Sequence, residues 1–80
     1  DLRRDEAGRW IEAAAEGREP DLRLRHGSEA FFALADLRAE LRPALALGPP
    51  LRMEIGTLVV EIGDAGRTTL DAAVRRRLAP

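Results

Sequence analysis

The residues able to carry chemistry are few and scattered. His26 is the one histidine, and the hydroxyls are Ser28, Thr57, Thr68 and Thr69. A metal site built on His26 would draw on carboxylates such as Glu29. One imidazole with one carboxylate falls short of the roughly three or four protein ligands that a bound metal needs. Nucleophilic catalysis needs a hydroxyl or thiol beside a base that a third group orients. Ser28 lies only two residues from His26, which suits a turn leading into a helix better than a triad. Gly63-Asp64-Ala65-Gly66-Arg67-Thr68-Thr69 sits where a phosphate loop would sit, between a strand and a helix, but lacks the Gly-Lys-Ser/Thr core. It reads as a connector whose exposed amides would bind an anion weakly. The residues point to no catalytic centre, and no enzyme, metal or cofactor is expected.

Other residue types point to contact with a partner. Arg75-Arg76-Arg77 is the densest basic run. At a helix C-terminus it complements the macrodipole, and Arg75 and Arg76 are also candidates for an acidic partner. Phe31 and Phe32 are neighbours, about 100° apart around a helix, so both cannot face one core. Phe31 aligns with Leu34, Leu37 and Leu41. Phe32 aligns with Ala35 and Ala39, a face able to take Trp10 or another chain. The candidate partner-binding residues are therefore Trp10, Phe32, Arg75 and Arg76.

The elements that must position these residues are best marked between Leu51 and Ile62. Apolar residues are odd-numbered at first (Leu51, Met53, Ile55) and then even-numbered (Leu58, Val60, Ile62). A single straight strand would send the two sets to opposite faces. A two-residue type II′ turn at Gly56-Thr57 puts them on one face, with pairs Ile55–Leu58, Met53–Val60 and Leu51–Ile62, and sets Arg52 opposite Glu61.

The rest of the pattern predicts three helices and one further strand. Trp10, Ile11, Ala14 and Ala15 recur at helical spacing, with acidic Asp1, Asp5 and Glu6 ahead of them and Gly17 as a stop. This predicts a helix over 1–17, either packed beside the others or serving another chain. Leu22-Arg23-Leu24-Arg25 alternates as a half-buried strand. Ser28 is a good N-cap for a long helix that Pro43 ends or kinks near Arg42. Thr68-Thr69-Leu70-Asp71 has the form of a capping box before a last helix. The expectation is one α+β domain over residues 1–80, in the order helix, strand, helix, hairpin, helix. Its sheet is a short three-stranded one of antiparallel type, covered by helices.

Composition bounds the function. Eighty residues bury only about 60% of their unfolded surface, so stability is marginal. The absence of Cys excludes disulfides and thiolate zinc sites and fits a reducing compartment. No apolar run approaches membrane-spanning length, and the start Asp1-Leu2-Arg3-Arg4 lacks the apolar core of a signal peptide, so a cytoplasmic location is expected. The chain does not open on Met, as a processed product or a piece of something longer would not. All thirteen basic residues are Arg, which fits a GC-rich bacterial genome. The net charge of −1 weighs against general nucleic-acid binding. The leading expectation is a non-enzymatic protein–protein interaction or assembly module, binding itself or a larger complex partly through an unpaired hairpin edge. The alternative is a small nucleic-acid-binding domain using the hairpin and the Arg-rich helix end.

Overall fold

The computed structural model describes residues 2–80. Five strands form one mixed sheet: β1 (Leu2–Arg4), β2 (Trp10–Glu12), β3 (Leu22–Arg25), β4 (Leu51–Ile55) and β5 (Leu58–Gly63). The helices are α1 (Glu29–Leu37), α2 (Arg42–Leu45) and α3 (Ala72–Leu78), with short 3-10 turns at Ala13–Ala15 and Ala39–Leu41. The strands lie side by side in the order β1-β2-β4-β5-β3.

The central hairpin follows from the phase break. Ile55 pairs with Leu58, Met53 with Val60, Leu51 with Ile62 and Arg52 with Glu61. Gly56 takes φ +62, and no non-glycine residue among those described has positive φ. That combination fits type II′, whose first central position alone needs the left-handed region. A Cβ on Gly56 would also come within 3.2 Å of the Arg77 carbonyl oxygen, so the turn abuts the end of α3.

The sheet itself corrects the three-stranded antiparallel expectation. It has five strands, and two of its four pairings, β2 with β4 and β3 with β5, are parallel. Pairing between strands far apart in sequence leaves no local pattern to read. The hairpin edge is not free either: β2 flanks β4, and β3 flanks β5.

The helix expected over 1–17 is instead the antiparallel β1–β2 hairpin followed by a 3-10 turn. Asp5 makes the reversal. Its Oδ1 accepts the amides of Ala7 at 3.0 Å and Arg9 at 2.9 Å, and Gly8 takes φ +81. A side chain that bonds nearby amides offers the backbone an alternative to a helix. Strand pairing then buries Ile11 on one face while Trp10 packs against the core on the other. Asp1, expected in the first helical turn, lies outside the described residues.

The long helix from Ser28 breaks earlier than Pro43. Ser28 does cap it, with Oγ accepting from the Phe31 amide at 3.3 Å. The α-helix ends at Leu37, Arg38 leaves helical geometry, and Pro43 falls in the first turn of the separate α2. Proline fits there because first-turn amides have no helical acceptor. The last helix also starts later than the capping-box reading. Its N-cap is Asp71, whose carboxylate accepts from the Val74 amide at 2.8 Å.

Two apolar layers result. Leu22, Leu24, Leu51, Met53, Val60 and Ile62 from one sheet face pack with Phe31, Leu34, Leu45 and Leu78 from the helices. The opposite face carries a small cluster of Ile11, Ala15 and Val59. The segment from Ala13 to Asp21 joins β2 to β3, which are separated by β4 and β5, and Ala15 within it closes over Val59. Asp21 then extends the edge of the sheet, donating its amide to the Val59 carbonyl at 2.7 Å and accepting the Val59 amide at 2.8 Å. Among the described residues no helix is long and apolar enough to cross a membrane.

Candidate functional site

The charged groups separate into those the fold consumes and those it leaves. On the Val59 side of the sheet, Glu61 gathers three guanidinium groups: Arg52 at 2.6 Å, Arg23 at 2.8 Å and Arg9 at 3.3 Å. Arg9 is shared with Asp5 at 2.9 Å, and Arg18 pairs with Glu54 at 2.6 Å. The Asp5 carboxyl is held below its ordinary value, chiefly by the backbone N–H of Arg9. A face built this way satisfies its own charges and leaves little for a ligand.

The residues that could have done chemistry sit at turns and helix starts. His26 ends β3, with its ring centroid 4.7 Å from that of Phe31. Thr68 receives the Ala30 amide on its carbonyl at 2.8 Å. Of the α1 start, the Ala30 and Phe31 amides therefore already have partners. At the start of α3 the Asp71 carboxylate accepts the Val74 amide, so that amide already has a partner. Among the described residues no group of three or more His, Asp or Glu is placed to hold a metal ion.

The helical layer is different. Phe31 points inward at 9% exposure, while Phe32 stands 58% exposed with its ring edge-on to Phe31 at 5.2 Å. Leu47, at 43%, is the other exposed large apolar residue among those described. Phe32 forms a ridge between two shallow grooves. One, about 370 Å³, is lined by His26, Phe31, Ala35, Arg42, Leu45 and Ala46 as well as Phe32. The other, about 470 Å³, adds Glu29, Ala33, Asp36, Leu37 and Arg75.

Of the four sequence candidates, the structure therefore brings Phe32 and Arg75 to one groove. Arg76 follows on α3, fully on the surface. Trp10 lies apart: it is in β2, separated by β4 and β5 from β3, the strand that leads into α1. Its ring packs against the core edge with the Arg4 guanidinium 5.0 Å above it. The pairing of Trp10 with the Phe32 face does not occur, because β2 lies toward the opposite edge of the sheet from β3, which leads into α1. Sequence reasoning missed Leu47 and Arg42. Leu47 carried a signal, since it extends the apolar run just before Gly48. Arg42 carried none, because its place depends on the early end of α1.

Comparison with protein-family models, with curated proteins and with solved structures finds no match. The functional reading rests on the residues themselves.

Proposed function

We propose that this chain is a non-enzymatic protein-interaction module that docks a protein partner on its helical layer, with Phe32 at the centre. The observation that carries the reading is Phe32 at 58% exposure. It is an aromatic ring kept in water beside a buried one, flanked by concave surface on both sides. Aromatic and arginine side chains are the usual anchors of such contacts, and Arg42 and Arg75 border the two grooves. The absence, among the described residues, of a base placed beside a hydroxyl supports a binding role over a catalytic one. The net charge of −1 ranks nucleic acid second.

The test is a photoreactive benzoylphenylalanine placed at position 32 in the native cell, with the same group at exposed Glu19 as control. A discrete adduct from position 32 alone supports docking, and an adduct of twice the chain mass identifies the partner as a second copy. No adduct from position 32, or the same adducts from both positions, contradicts the reading.

A further inference from the structure

The arginine run of α3 complements the helix macrodipole, but it does not cap the carbonyls at the helix end. Cations near a helix C-terminus are ordinarily explained by the macrodipole and by the carbonyls left without helical donors. In this chain Arg38, from outside the helix, caps the carbonyls. Its Nε donates to the Leu78 carbonyl at 2.6 Å and its Nη2 to the Ala79 carbonyl at 3.3 Å. Arg75, Arg76 and Arg77 are all exposed, and among the described residues none of them forms an ion pair. This departs from the habit of the chain, in which eight of the thirteen arginines are held by its own carboxylates.

The location of the run gives it a use. Arg75 lines the groove beside Phe32. Of the two acids in that groove, Asp36 is already paired with Arg42 at 3.1 Å, which leaves Glu29 against three unpaired cations. Ala72 and Ala73, both exposed, keep the rest of the α3 surface low. An apolar ridge next to an uncompensated basic helix end is complementary to a segment with the opposite arrangement.

We infer that the partner surface is an acidic segment of a protein, its carboxylates on Arg75, Arg76 and Arg77 and an apolar side chain in the groove beside Phe32. The inference rests on the docking reading and names the chemistry of its partner. Guanidinium groups bind carboxylates through paired, charge-assisted hydrogen bonds. A nucleic acid fits less well. Three cations give a short electrostatic footprint, and the ridge beside them supplies one exposed phenyl ring, Phe32, where a single strand is held by successive stacked bases.

Fluorescence anisotropy with three labelled probes tests this: poly-glutamate, a glutamate peptide with interspersed leucines, and oligothymidylate. The expected result is that poly-glutamate binds at low salt, weakens as salt rises and binds more tightly than oligothymidylate. Arg75→Ala, Arg76→Ala and Arg77→Ala together weaken it by about tenfold or more. If that triple variant does not fold, Arg76→Glu alone must produce a clear loss. Phe32→Ser weakens only the leucine-containing probe. Absent poly-glutamate binding at low salt, binding that ignores the arginine substitutions, or tighter binding of oligothymidylate each overturns the acidic-segment inference. An adduct from position 32 in the crosslinking experiment, obtained with any of those results, leaves docking standing and removes only the acidic partner.

Discussion

On one face of the sheet a single carboxylate, Glu61, holds Arg9, Arg23 and Arg52, while on the helical face three consecutive arginines hold no carboxylate among the described residues. The apolar groups divide in the same way. Val59 is fully buried under a 3-10 turn, whereas Phe32 is largely in water. Both faces are built from the same few residue types, so composition does not separate them. What separates them is closure. The connector from Ala13 to Asp21 crosses the first face, where Arg18 pairs with Glu54 and accepts Arg52 on its carbonyl, and Glu16 pairs with Arg3, and nothing in the described chain crosses the outer surface of α1 and α3. A small domain that must bury apolar surface to be stable leaves such a surface open at a cost, which docking of the proposed partner would offset.

The most damaging way to break the closed side is Gly66→Ala. Residues next to Gly66 pair with the outer edge of β3: the Arg67 amide donates to Arg23 at 2.8 Å, and the Arg25 amide donates to Arg67 at 3.0 Å. A Cβ on Gly66, at φ +130, would stand 2.6 Å from the Arg23 carbonyl carbon and oxygen. Backbone cannot yield as a flexible side chain can. The substitution should cost about 3 kcal/mol or more, read as an early urea midpoint and as fast hydrogen exchange at Arg25 and Arg67.

Glu61→Ala attacks the same face through its charges. It strands Arg52, whose side chain is only 11% exposed. The expected loss is about 2–3 kcal/mol, below that of a fully buried pair because Arg23 can turn into water. Arg23→Ala removes a partner that is itself 55% exposed and should cost less than about 1 kcal/mol. Chemical denaturation of the two variants should keep that order.

Acid gives the smallest effect. The backbone N–H of Arg9 holds the folded-state pKa of Asp5 below the ordinary carboxylate value. A depressed carboxyl stabilises the fold above its unfolded pKa, and that contribution fades as pH falls through the folded value. The Asp5 reversal should therefore hold down to about pH 4 and loosen only in stronger acid. Carbon-detected NMR titration of Asp5 checks this, and Asp5→Asn should remove that part of the acid response.

How much of this was legible in the sequence varies by element. The central hairpin could be read to the residue pair because a change of phase in alternation has one local solution. The first hairpin could not be read so: Trp10, Ile11, Ala14 and Ala15 satisfy helical spacing as well, and strand pairing with β4 decided the matter. Asp5 and Gly8 did carry a turn signal there. Parallel pairing of β3 with β5 has no local trace. Of the surface, the division between Phe31 and Phe32 followed from helix geometry alone. The separation of Trp10 from it, and the capture of the α3 carbonyls by Arg38, depend on strand order and on where α1 stops.

Two neighbouring phenylalanines divide the burial of α1, Phe31 inside the core and Phe32 in water, where the proposed partner would meet it. The most direct test is the unfolding free energy of Phe31→Ala and Phe32→Ala measured side by side. Phe31→Ala should lose about 3–5 kcal/mol. Phe32→Ala should lose less than about 1.5 kcal/mol, the upper value of its edge-on contact with Phe31. Losses of equal size would mean that Phe32 serves the core as much as Phe31 does, and would leave no surface ring for a partner to anchor on.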